Sequence, residues 1–397
     1  MAMVLNFAGW AILIAANLYV LLAALAQTIW FLRPVSRTSL DALPAVSILK
    51  PLCGDEPRLY QNLRSFCLQA YPQFQLIFGT RFADDPALTV ARQLQTEFPQ
   101  LDISVVCAPQ IHGRNLKISN LINMLPAARH DVLVISDSDI KVDPDYLGNV
   151  IAPLQRAEVG LVTCLYHGRA IGGFWTHLGK LFIDDWFRPS VLLTRLFGAS
   201  TFGFGATLAL RRDTLNAIGG LQKLASSLAD DQALGAIVRA HGLRTVLSRQ
   251  EVATDVTERR LEELAAHELR WLRTIRMVQP LGYSFSFVTF TMPVAFGSWL
   301  LIRNQAMATP LLLLALSGRL MLHFQSIRRS RNTSPLTSLI SRTIFDLGLL
   351  AARDTLSLGL WALAFFGTRV SWRGQQLFAV AGNNIPLTEA ESSEISS

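Results

Sequence analysis

The residues best suited to chemistry are two acidic pairs. Asp137-Ser138-Asp139 follows the apolar run Val132-Leu133-Val134-Ile135. This places alternate carboxylates at the carboxyl end of a buried strand, the edge at which open α/β sheets bind ligands. Two oxygen donors there suit a hard divalent cation, Mg2+ or Mn2+, which in turn neutralises a diphosphate. The same triplet also reads as an ordinary strand-to-turn junction, so its context decides. Asp230-Asp231 precedes a helical pattern over Gln232–His241 that Gly242 closes. A carboxylate at a helix N-terminus complements the dipole, which can account for Asp230. Asp231 is the candidate general base, a carboxylate able to take the proton of an attacking hydroxyl. The third element is His267-Glu268-Leu269-Arg270-Trp271. On a helix, positions 267, 270 and 271 share one face, where a cation and an indole N–H can stabilise a departing diphosphate. The competing reading is a juxtamembrane Arg-Trp anchor.

These residues need a frame. Between about 45 and 275, short β-branched runs alternate with helical patterns, and the candidate strands are Val46–Leu49, Phe74–Phe78, Ile103–Cys107, Val132–Ile135, Leu161–Leu165 and Thr207–Leu210. Such alternation predicts an α/β fold with a largely parallel sheet covered on both faces. Gly54, Pro86, Gly113, Gly219-Gly220 and Gly242 punctuate the segments where helices start or stop.

The frame continues into a membrane. The chain has 397 residues, 51% apolar and only 16% charged, the mixture expected of a water-facing domain attached to spans. Met1–Leu32 carries no charged side chain, more than the roughly 20 residues a spanning helix needs. A cleavable leader with Ala24-Leu25-Ala26 at its cut lacks a preceding basic residue, and the apolar run continues past it. Leu281–Ile302 is uncharged, and Ala306–Phe324 carries only Arg319 and His323, so two more spans are expected. Arg328, Arg329, Arg331 and Arg342 come next, which by the positive-inside rule makes that loop and the large domain cytoplasmic. Ile344–Gly367 is interrupted by Asp346, Arg353 and Asp354, and reads as a fourth span or an interfacial helix with a short span. The expected division is 1–32 (first span), 33–280 (cytoplasmic domain), 281–367 (C-terminal membrane region) and 368–397 (tail), in a multi-pass protein of the cell inner membrane. Trp186–Leu210 is apolar enough to lie at the interface and deliver a lipid, with Arg188 and Arg195 meeting lipid phosphates. The net charge of +7 is scattered rather than gathered in a basic stripe, which fits anionic lipid and phosphate and disfavours nucleic acid. Cys53, Cys67, Cys107 and Cys164 show no C-x-x-C spacing and read as free thiols.

The order of motifs resembles the ceramide glucosyltransferase family. Lys50-Pro51-Leu52-x-Gly54, Asp84-Asp85-Pro86-Ala87, Asn115-x-Lys117-Ile118-x-Asn120-Leu121, Asp137-Ser138-Asp139, Asp230-Asp231 and Arg270-Trp271 carry the likeness. Within it, Ser119–His130 and His267–Trp271 are similar to the bacterial hopanoid-biosynthesis glycosyltransferases. The resemblance implies a glycosyltransferase A fold, Rossmann-like, with one N-terminal and two to three C-terminal spans. It also implies an inverting hexosyltransferase that moves one sugar from a UDP-sugar to a membrane lipid: N-acetylglucosamine onto a hopanoid polyol, or glucose onto ceramide. By the same resemblance, Lys50, Asn115 and Lys117 belong to the donor site, with Asp84 or Asp85 at the uridine. Asp137 and Asp139 meet the metal and diphosphate, Asp231 is the base, and Arg270, Trp271 and His267 complete the catalytic set. His267 stands where the family motif has Gln or Arg. A processive polysaccharide synthase shares several of these motifs but needs more spans for a channel, and a non-enzymatic scaffold would not need every carboxylate kept.

Overall fold

The computed structural model describes residues 1–32, 43–198, 203–329, 336–367, 369–372 and 375–378. Arg331, Arg373, Gly374 and the tail from Thr388 lie outside the described residues, as does Phe202. The described chain forms two compact units, one of residues 43–166 and 203–255, the other of 1–32, 167–198 and 256–378.

The first unit is built on an eight-stranded sheet: β1 (Val46–Pro51), β2 (Phe74–Thr80), β3 (Asp102–Cys107), β4 (Val132–Ile135), β5 (Ile140–Lys141), β6 (Val159–Ala170), β7 (Leu208–Arg211) and β8 (Arg244–Val256). Their order is β3-β2-β1-β4-β7-β6-β8-β5. The expected parallel half is there, with β1 parallel to β2 and β4, and β2 parallel to β3. The helices Leu59–Cys67, Ala87–Glu97 and Leu116–Met124 supply the crossovers that parallel strands require. Beyond β4 the sheet turns antiparallel, at β4–β7, β7–β6 and β8–β5, so it is mixed rather than uniformly parallel. β8, of 13 residues, lacked a sequence signal because Arg249, Gln250, Glu251, Thr254 and Asp255 break its apolar pattern.

Period-two alternation builds two cores. Val46, Ile48, Val132 and Val134 face one side with Phe66 and Phe78. Leu49, Leu133 and Ile135 face the other with Ile118, Leu121, Leu208 and Leu234. Strand order reverses between β1 and β4, so their carboxyl ends flank the switch-point crevice that gathers ligands in such sheets.

The second unit is helical. Ala2–Leu32 and Gln305–Ile327 are long and apolar enough to cross a bilayer. The expected span Leu281–Ile302 falls on a bent pair of helices, Pro280–Thr289 and Thr291–Leu301, at 77° to each other and together long and apolar enough for one span. Ser286 Oγ and Thr289 Oγ1 donate to the carbonyls of Tyr283 and Ser286 at 2.7 and 2.6 Å, side-chain competition that loosens a helix, and Pro293 sits in the first turn after the break. The helix Leu336–Leu363 does not meet the composition of a span among the described residues. Three of its charges are paired inside the bundle: Asp354 with Arg319 at 2.8 Å, and Arg353 with Glu268 at 2.6 Å, while Asp346 bonds His177. His323 donates to Asp185 at 2.6 Å. Pairing is what makes such charges tolerable among apolar helices.

The apolar segment from Trp186 does not behave as one interfacial element. Trp186, Arg188, Val191 and Leu192 are buried in the helical unit, Arg188 at 1% exposure, so Arg188 is withdrawn from any lipid phosphate. Among the described residues of the segment, Leu196 and Phe197 present apolar surface, and Phe204 and Leu208–Leu210 belong to the sheet unit.

Candidate active site

Within the sheet unit, the chain after β4 is fixed from below and from the side. Ser136 N–H donates to the Leu49 carbonyl at 3.2 Å, and Asp137 N–H to the Gly205 carbonyl at 3.2 Å. Lys50, expected at the donor, is fully buried on β1. Its ammonium donates to Ser136 Oγ at 3.2 Å and to the Asp137 carbonyl, and lies 3.9 Å from the Phe66 ring centroid. Burial pulls its pKa down to about 7 against the opposing pull of Asp139 and Asp137. Lys50 thus supports the acidic strand end from beneath.

Lys117 is the cation at the surface of the cluster, 2.7 Å from Asp137 Oδ1 and 3.4 Å from Asp230 Oδ2. Burial opposes its charge, but Asp137, Asp230 and Asp231 outweigh it and hold its pKa well above the ordinary lysine value. Asn115 caps the helix Leu116–Met124, accepting from Ile118 N–H at 3.0 Å, while its amide donates to Ser227 O at 2.8 Å and Asp230 Oδ1 at 3.2 Å. Asp139 accepts from Thr254 Oγ1 at 2.9 Å. Burial, reinforced by Asp137 and Glu56, raises its pKa to about 7. Asp231 opens the helix Asp230–Ala240. Its Oδ2 accepts from Gly205 N–H at 2.9 Å and its Oδ1 from Gln232 N–H at 2.7 Å, yet burial and Asp230 lift its pKa to about 6.

Gly203 and Gly205 are the residues sequence reading missed, although Gly203-Phe204-Gly205 stands just ahead of an anticipated strand. Gly205 receives Asp137 N–H on its carbonyl and gives its own N–H to Asp231. A Cβ there would lie 2.6 Å from Asp137 Oδ2 and 3.1 Å from Lys117 Nζ, and one on Gly203 would overlap the Asp231 carbonyl. Only glycine lets the backbone pass between these carboxylates.

The Asp84-Asp85 pair divides. Asp85 accepts from Gly54 N–H at 3.0 and 3.1 Å and from Ala87 N–H at 2.9 Å, tying the β1 loop to the start of the helix Ala87–Glu97. Asp84 is exposed.

His267, Arg270 and Trp271 belong to the helical unit, on the helix Leu261–Val278. His267 Nδ1 bonds Glu258 Oε1, and its ring stands edge-on to Trp271 with centroids 4.8 Å apart. Trp271 packs beside Phe182 and Phe187, with centroids at 6.3 and 6.2 Å. Glu258, which bonds His267 on this helix, carried no motif signal.

Among the described residues no group of three or more His, Cys, Asp or Glu is placed to hold a metal ion by itself. Asp137 and Asp139 offer two carboxylates, with Glu56 adding negative charge at Asp139. Two carboxylates completed by ligand phosphate oxygens suit Mg2+ or Mn2+.

The family model described as Glycosyl transferase family 21 matches residues 10–385. Ceramide glucosyltransferase 1 of Caenorhabditis elegans is 27% identical over 207 residues, covering 52% of this chain and 44% of that protein. Ceramide glucosyltransferase 3 of the same organism is 24% identical over 255 residues, covering 62% and 55%. The chain therefore spans about half the length of the curated relatives it matches. The solved mannosyltransferase of Pyrobaculum calidifontis, in complex with GDP-Man and Mn2+, is 16% identical with a TM-score of 0.54, over 92% of this chain and 99% of that one, and shares the fold.

Proposed function

The chain belongs to glycosyl transferase family 21, and on that premise we propose that it is an inverting hexosyltransferase that moves one sugar from a UDP-sugar to a hydroxyl of a membrane lipid. The observation that carries this reading is the double engagement of Gly205, whose carbonyl anchors Asp137 and whose N–H orients Asp231. A diphosphate-facing carboxylate and a proton-accepting one are thereby held to a single residue.

Asp231 takes the acceptor hydroxyl's proton as that oxygen bonds to the sugar's anomeric carbon, and the bond from that carbon to the diphosphate oxygen breaks with its electron pair leaving on UDP. A carboxylate with a pKa near 6 is ionised at neutral pH yet basic enough to share the proton in the transition state. Lys117, held by Asp137 and Asp230, faces the developing diphosphate charge, and Asn115 fixes the start of its helix. A divalent cation on Asp137 and Asp139 supplies further charge neutralisation at the diphosphate. Asp84, exposed where Asp85 is engaged, is the candidate for the uridine. Arg270, Trp271 and His267 serve the leaving group and the acceptor, on the strength of the family motif they complete. On this reading the apolar helices anchor the enzyme in the inner membrane, with the sheet unit on the cytoplasmic side. The hopanoid-like motifs favour N-acetylglucosamine and a hopanoid polyol, and the C. elegans relatives favour glucose and ceramide.

The test is transfer by the purified protein in nanodiscs, with UDP-N-acetylglucosamine or UDP-glucose and with a hopanoid polyol or ceramide, followed by mass spectrometry. We expect one sugar mass per lipid and loss of product on chelation. A polymeric product, or no transfer to either lipid from either donor, would overturn the reading.

A further inference from the structure

The Arg270-Trp271 helix is tied to the helix Leu336–Leu363 at two levels within the helical unit. At the first, Glu268 and Arg353 are 3% and 1% exposed and meet fork to fork, with Nη1 to Oε1 at 2.8 Å and Nη2 to Oε2 at 2.6 Å. The rest of the guanidinium is occupied too. Nε and Nη2 donate to Ser357 Oγ at 3.0 and 2.8 Å, Nη1 reaches the Leu178 carbonyl at 3.4 Å, and its plane lies 5.2 Å from the Phe182 centroid. At the second level, Arg273 donates to the Phe366 carbonyl at 3.0 Å, and Arg276 to those of Phe365 and Gly367 at 2.8 and 3.1 Å. These bonds satisfy carbonyls just past the end of the partner helix.

A buried ion pair adds little net stability, because desolvating both charges cancels much of their attraction. What a planar bidentate pair can fix is register. Glu268 lies about a quarter turn from the face shared by 267, 270 and 271, so holding its carboxylate sets both the rotation and the height of that face. We infer that Arg353, acting through Glu268, is a positioning residue that fixes Arg270 and Trp271 at the geometry transfer requires. The inference rests on the transfer role proposed above for Arg270 and Trp271.

The experiment uses the full chain in nanodiscs with the UDP-sugar and lipid that the wild type turns over. In the double variant Glu268→Met/Arg353→Met, apolar side chains replace the pair, an exchange that cores tolerate. Its melting temperature should equal or exceed the wild type's. Its kcat should fall about 10- to 100-fold, the cost of roughly ångström-scale misplacement, with the donor KM within about twofold. Arg353→Lys keeps the charge without the fork or the full set of bonds to Ser357 and Leu178, so it should melt below the wild type, its folded fraction showing an intermediate kcat. Wild-type kcat in the folded fraction of either variant overturns the inference. Arg270→Ala separates the two readings. Full activity there would refute the role of the helix itself, whereas its inactivity beside a fully active Met pair would refute positioning alone.

Discussion

Replacing Asp231 by Asn removes the proposed base and relieves a buried charge in one step, so activity and stability should move in opposite directions. The folded-state pKa is raised from 3.8 to about 6 by burial and by Asp230. A carboxyl group whose folded pKa lies above its unfolded value holds its proton more tightly in the native state. Its contribution is therefore most favourable below the unfolded pKa and is lost as pH rises through about 6. At about 1.4 kcal/mol per pKa unit, the difference between 3.8 and about 6 costs the fold on the order of 3 kcal/mol near pH 8. Asn carries one acceptor oxygen and keeps one of the two N–H bonds from Gly205 and Gln232, giving back about 1 kcal/mol. The variant should then be more stable than the wild type by roughly 2 kcal/mol near pH 8, and less stable by roughly 1 kcal/mol below about pH 4. Transfer should fall about 10²- to 10⁴-fold while donor binding persists, and wild-type transfer should rise with pH through about 6. Asp230→Asn should lose less transfer, since Asp230 pairs with Lys117 and Asn115. Unfolding at both pH values, donor titration and lipid transfer check each statement. A variant no more stable than the wild type near pH 8, or one that keeps more than about a tenth of its transfer, would refute the assignment of a strained, proton-accepting carboxylate at 231.

Three further substitutions probe the site from its frame. Gly205→Ala should abolish most transfer and weaken divalent-cation-dependent donor binding, because its Cβ would lie 2.6 Å from Asp137 Oδ2. Crowding of this kind typically costs about 1–3 kcal/mol, and a normally active Ala variant would show that the loop does not hold the two carboxylates. Asp85→Ala should destabilise by about 1–2 kcal/mol through loss of the bonds its carboxylate accepts from the Ala87 and Gly54 N–H groups. Asp84→Ala should leave unfolding unchanged and weaken UDP binding, measured by calorimetric titration; the reverse pattern would exchange their roles.

The sequence by itself determined the local elements and the identities of the acidic groups. Val132–Ile135 had to be a buried strand, and Gly242, at φ 79°, had to end the Asp230–Ala240 helix, because propensity and periodicity over a few residues dictate each. Six strands were legible on those grounds, and so was the long charge-free first helix. Lys50 illustrates what was not. The family motif sets Lys50 in the donor site, and only the tertiary structure shows its ammonium turned inward to the Asp137 carbonyl. The approach of Gly205 to both Asp137 and Asp231 joins segments far apart in the chain, and no local pattern encodes it. The same holds for the charges in the last apolar stretch. Asp354 and Arg353 look like flaws in a span until Arg319 and Glu268 are found beside them. Their acceptability is decided by partners more than thirty residues away, since a buried charge is tolerated only through the company that the tertiary fold provides.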